Sequence, residues 1–345
     1  MRRITSFSIG VLLFMVSCYA LSTPSSPDGF VPTFTPEAED LLVVDPSEPV
    51  DTPVPALPLK EAKIITSSID SGCAVTMDGE TRCWYTFHEP AIVGGLPPLA
   101  GLECRAEYCL GFTPGGELYE WFISKAQAQV LEGIQGVTDI AMGDNFSCAI
   151  TMGAVKCWGS VPGRDRTGNT NRAVTDEPIF NGPGWTLADA AATYACFIGD
   201  VIEMCIGFFP KMGTNRYAYG FNPYFSASDL RFSESVYCVI RVNGEVACSD
   251  NESLDLKFNP FPEDFFSNAV DFDVSDPLSC RINPDYSVDC IKDDVVTAVK
   301  GLKADAISIK TSGRKATILL RDGSVVVLDT HPDYEITYLA GFGSP

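Results

Sequence analysis

Residues 73 to 83, CAVTMDGETRC, place two cysteines ten positions apart around an Asp78-Gly79 turn. A glycine in the left-handed conformation lets a short turn double the chain back, which brings Cys73 and Cys83 opposite each other across one β-hairpin. The unit is a stapled hairpin, and it recurs. Cys148 with Cys157, Cys196 with Cys205, Cys238 with Cys248 and Cys280 with Cys290 repeat the spacing at nine or ten residues. A seventh unit without cysteine, ATILLRDGSVVVLD, aligns on its Asp322-Gly323 turn and places Thr317 and Val327 at the two cysteine positions.

With the first cysteine of each unit as anchor, the repeats fall at 73, 109, 148, 196, 238, 280 and 317. Steps of 36 to 48 residues lie in the range of propeller blades. Each unit alternates apolar and polar residues between Gly, Asn, Asp and Pro punctuation, and no long segment of helical period appears. The expected fold is therefore all-β, a seven-bladed β-propeller over residues 59–345 with one hairpin disulfide in most blades. The second unit departs from the pattern, because Cys104 and Cys109 are five residues apart and no cysteine follows the Gly115-Gly116 turn. Counting back from the anchor puts Cys104 at the position of Gly143, so its expected partner is Cys109, across a tight turn.

The third unit, VTDIAMGDNFSCAITMGAVKCWGS from Val137 to Ser160, resembles the bacterial form of the regulator-of-chromosome-condensation repeat. Gly143, Cys148, Ala149, Val155, Cys157, Trp158 and Gly159 carry the match, and GCAVTMDGETRCWY in the first unit follows it nearly as well. The other units share only the cysteines, the turn and the alternation. Where the family has His two residues before the first cysteine, this chain has Ser71, Phe146 and Val236 in its first, third and fifth units. The resemblance implies a propeller of exported type.

MRR followed by an apolar stretch reads as a secretory signal over residues 1–17, too short to span a membrane. Met15-Val16-Ser17-Cys18 resembles a lipobox, which would make Cys18 a lipidated first residue; cleavage after Ala20 by an ordinary signal peptidase is the rival reading. The count favours lipidation, since 13 cysteines less Cys18 leave twelve to pair. Residues 18–58, rich in Pro, Ser, Thr and acids, read as a disordered tether. Local cysteine pairs point to an oxidising compartment. The expected location is a bacterial envelope, lipid-anchored in the outer membrane or at the cell surface, with a soluble periplasmic or secreted form as the alternative.

With 24 basic and 45 acidic residues the formal charge is −21, and loss of Arg2 and Arg3 with the signal makes it −23. Such a field repels nucleic acid and anionic membranes, so no nucleic-acid partner is expected, and membrane contact only through the anchor. No G-x-S-x-G elbow, zinc helix, P-loop or dinucleotide fingerprint occurs. The histidines, His88 and His331, lie in expected loops and read as structural. Cysteine spacing does not suit zinc. Asp271, Asp273, Asp276, Asp285 and Asp289 could ligate calcium but lack the EF-hand order, and are read as solvated strand edges and turns. Ser68 to Gly72 matches the start of an Asp-box only once and reads as a polar turn. No cofactor and no metal are expected.

Trp84, Trp121 and Trp158 recur with the repeat and read as interblade packing. PKMGTNRYAYGFNPYF, from Pro210 to Phe225, reads instead as a long loop between the fourth and fifth units, with Arg216, Tyr217, Tyr219 and Tyr224 as candidate binding residues. The expected function is a non-catalytic binding scaffold, monomeric, recognising a protein or glycan. Two alternatives stand beside it. An inhibitor of a secreted enzyme would show a ring of exposed aromatics on one face, and a propeller hydrolase or lyase would need a convergent acid set in the central channel.

Overall fold

The structure, a computed structural model, describes residues 61–343 except 86–88, 153, 160, 161–179, 182–183, 200–202, 210–213, 221–226, 234, 251–260, 263–264 and 331–333. It forms a seven-bladed β-propeller. Every blade is an antiparallel meander of consecutive strands, so no strand crosses from one sheet to another. Six sheets have four strands, and the fifth blade has three among the described residues. The first strands are Ala62–Ser67, Gly101–Arg105, Asp139–Met142, Trp185–Ala190, Ala227–Phe232, Asp271–Val274 and Ala306–Ser312.

The hairpin between second and third strands is the repeated element. Gly79, at φ +90°, closes the Cys73–Cys83 unit, with Thr76 N–H donating to Glu80 O at 2.8 Å and Gly79 N–H to Thr76 O at 2.9 Å. Cys73 sits directly opposite Cys83, as do Cys148 and Cys157, Cys196 and Cys205, Cys238 and Cys248, and Cys280 and Cys290; all five pairs are disulfides. In the seventh blade Thr317 opposes Val327, as the turn alignment requires.

The second blade corrects the repeat alignment. Thr113 N–H donates to Glu117 O as Thr76 does to Glu80, and the residue opposite Trp121 is Cys109, as Gly72 is opposite Trp84. The true counterpart of Cys73 is thus Leu110, and Cys109 stands one residue earlier, so it faces the other side of the sheet. Cys104 matches Met142, not Gly143, and its disulfide to Cys109 joins the first and second strands instead of the second and third.

Packing between blades supplies the core. Seven buried clusters each span two consecutive blades, including the last and the first. Trp84, Trp121 and Trp158 belong to three of them, so their periodicity does reflect interblade packing. Among the described residues the ring closes without a shared sheet. Ala62 N–H donates to Gly323 O at 3.0 Å, and Arg82, fully buried, donates to Gly341 O and pairs with Glu80 at 2.6 Å. Phe342 packs edge-on to Trp84 at 6.1 Å and beneath the Arg82 guanidinium at 5.9 Å. The carboxy-terminal segment therefore clasps blade one.

Candidate functional site

A cavity of about 860 Å³ occupies the centre, lined by the first strands of all seven blades. Its wall follows a rule visible in the register. Opposite each anchor position, seven residues earlier in the chain, stand Thr66, Glu103, Ala141, Asp189, Arg231, Asp273 and Lys310, one per blade. Two residues before these come Ile64, Gly101, Asp139, Leu187, Asp229, Asp271 and Ser308. Alternation along a strand puts both rows on one face.

A first strand pairs on one side only, so its channel edge carries unpaired N–H groups that need acceptors. The wall residues supply them, each to the next blade. Thr66 Oγ1 accepts from Cys104 N–H at 3.2 Å, Glu103 Oε1 from Met142 at 3.2 Å, Asp139 Oδ2 from Ala188 at 2.8 Å and Asp189 Oδ2 from Phe232 at 3.0 Å. Asp271 Oδ2 accepts from Ile309 at 3.0 Å, and Asp273 Oδ2 from Thr311 at 2.6 Å. Between blades five and six the polarity reverses, and Arg231 Nε donates to Phe272 O at 3.2 Å. The same carboxylates turn their other oxygens to their own strand: Asp139, Asp189 and Asp271 each accept from the N–H of the following residue.

Crowding of these acids in a poorly hydrated channel sets their protonation. Burial lifts Asp189 from 3.8 to about 7, with Asp273 adding to the rise and Lys310 and Arg231 opposing it. Burial lifts Asp139 to about 6 against the N–H bonds from Ala188 and Ile140. Glu103 is raised by burial and then by Asp189, and Asp273 is raised by burial. Burial opposes charge on Arg231, but Asp229, Asp273, Asp271 and Asp189 outweigh it and keep the guanidinium protonated. Asp229 binds it at 2.5 Å, whereas Asp271 and Asp273 stand off at 3.6 and 3.7 Å. Lys310 lines the cavity and is attracted to Glu103, Asp139, Asp189 and Asp273. Carboxyls held above their ordinary range thus share one cavity with Arg105, Arg231 and Lys310. Among the described residues the only metal-sized grouping is Cys73, Cys104 and Cys109, all in disulfides.

The residues singled out from the sequence fall elsewhere. Arg216, Tyr217 and Tyr219 are not in a loop: Thr214–Gly220 is the fourth strand of blade four, with Arg216 opposite Gly207 and Tyr219 opposite Cys205. The hydrophobic alternation was hidden there because tyrosines occupy alternate positions. Tyr224, Cys18, the signal and tether, and both histidines lie outside the described residues. Asp271 and Asp273 bond the next blade's backbone and are not solvated edges, whereas Asp276 is exposed at the cavity wall, where it accepts from Ser235 N–H at 2.9 Å, and Asp289 pairs with Arg281 at 3.0 Å. Ser68 N–H closes a polar turn onto Ser71 O at 2.8 Å. Among the residues whose burial is described, exposed large apolar side chains include Met77, Met152 and Val242 at second-to-third strand turns, and Tyr85 is the one aromatic.

No family model matches the chain, and no curated protein matches it in sequence. Solved structures match in fold. Prp20p of Saccharomyces cerevisiae aligns at TM-score 0.50 and 11% identity over 81% of this chain and 75% of its own. PorZ of Porphyromonas gingivalis aligns at 0.54 and 11% over 83% of this chain, which spans 38% of PorZ. The CRINKLY WD40 ectodomain of the Arabidopsis thaliana receptor kinase ACR4 aligns at 0.54 and 15%, covering 79% and 96%. At such identities the likeness is one of fold. It defines the chain as a seven-bladed β-propeller.

Proposed function

We propose that the protein is an exported, non-catalytic propeller of the bacterial repeat type that holds a protein or glycan partner in its central channel, anchored by lipid on Cys18. The observation that carries this reading is the wall itself: carboxyl groups fixed by bonds to the next blade's backbone, sharing a cavity of about 860 Å³ with Arg105, Arg231 and Lys310. That volume suits a small ligand or the inserted tip of a larger one. Fixed acceptors opposite fixed donors favour recognition, because little ordering remains to be done on binding. The six disulfides support export into an oxidising compartment. Prp20p is described by its binding to Gsp1p and histones, and PorZ as a surface component of a secretion system. Both fit a binding role for this class of propeller.

Capture from envelope extract by the immobilised mature chain, quantified by mass spectrometry, tests the channel. Lys310→Glu should reduce recovery of the captured partner at least about tenfold, which corresponds to about 1.4 kcal/mol. Equal recovery by wild type and variant refutes the channel as the site. Palmitate labelling lost in Cys18→Ala tests the anchor.

A second reading, a hydrolase or lyase, is favoured by the acids. A carboxyl pushed up to about 7, such as Asp189, in one cavity with Asp139 at about 6 is the arrangement general acid–base chemistry uses. Conversion of the captured partner by wild type, abolished in Asp189→Asn, would establish it in place of the first.

A further inference from the structure

The one-residue displacement in blade two has a chemical consequence. The disulfides of blades three to six each lie in the cluster between their own blade and the next. Cys73–Cys83 does the same, facing blade two, but Cys104–Cys109 faces backward into the same layer. The interface between blades two and three holds no cysteine. Two disulfides therefore share one buried site: the Cys104 Sγ lies 3.5 Å from the Cys73 Sγ, and the Cys109 Sγ 3.7 Å from it. These are contact distances between sulfurs of separate bonds.

We propose that Cys73, Cys83, Cys104 and Cys109 form one exchangeable thiol–disulfide unit whose isomers differ in whether blades one and two are covalently joined. Cys73 is the central sulfur. When Cys104 is a thiolate, its Sγ attacks the Cys73 Sγ; the Cys73–Cys104 bond forms, the Cys73–Cys83 bond breaks, and Cys83 leaves as a thiolate that takes up a proton. In the intact protein both pairs are disulfides, so the starting thiolate comes from two-electron reduction of Cys104–Cys109 by a small dithiol, which is itself oxidised to a disulfide; the exchange that follows is an isomerisation and consumes no further oxidant or reductant. The new bridge ties the first strand of blade two to the second strand of blade one, next to the channel latch from Thr66 to the Cys104 N–H. Burial slows the entry of outside thiols, since Cys73 and Cys109 are fully enclosed and Cys83 and Cys104 nearly so, and a second one does not compete with the neighbouring sulfur once a thiolate is present. Exchange is thus confined within the set.

Three single variants of the full mature chain test this, each leaving one odd thiol and each checked for native circular dichroism. In Cys109→Ser the free thiol starts on Cys104; after incubation at pH 8.5, acid quench and labelling under denaturation, peptide mapping should find the label divided between Cys104 and Cys83. In Cys83→Ser the thiol starts on Cys73, and the label should divide between Cys73 and Cys109 because attack comes from the other side. The rate should rise about tenfold per pH unit below the thiol pKa, as the thiolate fraction does. In Cys157→Ser, Cys148 has no second disulfide in its layer and should retain all the label. Label confined to Cys104 and to Cys73 in the first two variants, or scattered equally in the third, would overturn the proposal. If one of the first two variants does not fold, the other decides alone.

Discussion

Ionising Asp189 in the folded channel costs stability, and the cost can be read as a pH slope. Its carboxyl is pushed from 3.8 to about 7, chiefly by burial, and each pH unit between those values corresponds to about 1.4 kcal/mol. The unfolded chain ionises near pH 4 while the folded protein still holds the proton, so above pH 4 the unfolded state binds fewer protons and stability falls as pH rises. The full loss, about 4 kcal/mol, is complete once pH passes about 7. Asp139, at about 6, adds a similar slope between pH 4 and 6, though the two do not simply sum because the channel groups titrate together. Asp189→Asn removes the charge while its amide oxygen still accepts from Phe232 N–H. Urea unfolding with disulfides intact should then find the variant more stable than wild type by between about 1 and 2 kcal/mol at pH 5 and by up to about 4 kcal/mol at pH 8. Comparison with wild type cancels the general self-repulsion of an acidic chain. A variant that tracks wild type at both pH values, or that is weaker at pH 8, would show that the Asp189 charge is stabilised by Lys310 and Arg231, and the reasoning from burial would fail.

The clasp, the staples and the tyrosine strand give further expectations. Phe342→Ala should cost about 3 kcal/mol or more by emptying its place against Trp84 and Arg82, and Arg82→Ala a comparable amount by leaving Gly341 O and Glu80 without their donor; the double variant should lose less than the sum, measured by chemical denaturation. Replacing Cys148 and Cys157 together by Ala should lower stability by about 2 to 3 kcal/mol, the entropy of a nine-residue loop, with no change in the other five disulfides on mapping. Tyr217 and Tyr219, on blade four's outer strand, changed together to Ala should weaken partner capture by about 1 to 2 kcal/mol where that strand contributes to binding, and unchanged capture excludes it, with the melting temperature followed in parallel.

Propeller, blade number and six disulfides were legible because a hairpin staple is a local object: its cysteines, turn glycine and alternation lie within about a dozen residues. The channel was not, because its members are distant in sequence and each looks ordinary alone. Asp189 is one acid among 45, and nothing near it announces that Glu103, Asp273 and Lys310 face it. The signal was nevertheless present. Counting back seven residues from each anchor yields Thr66, Ala141, Asp189, Arg231, Asp273 and Lys310, and it yields Glu103 only when Leu110, not Cys109, anchors blade two. Taking the cysteine as anchor shifted that blade by one, which exchanges the two faces of a strand and would have put Leu102 in the channel. The same shift concealed that Cys104–Cys109 lies against Cys73–Cys83. In a repeat protein, then, the turn fixes register more securely than the cysteine does: the turn's hydrogen bonds allow one backbone path, whereas a cysteine can move to a neighbouring position and still find a partner across the opposite strand pair.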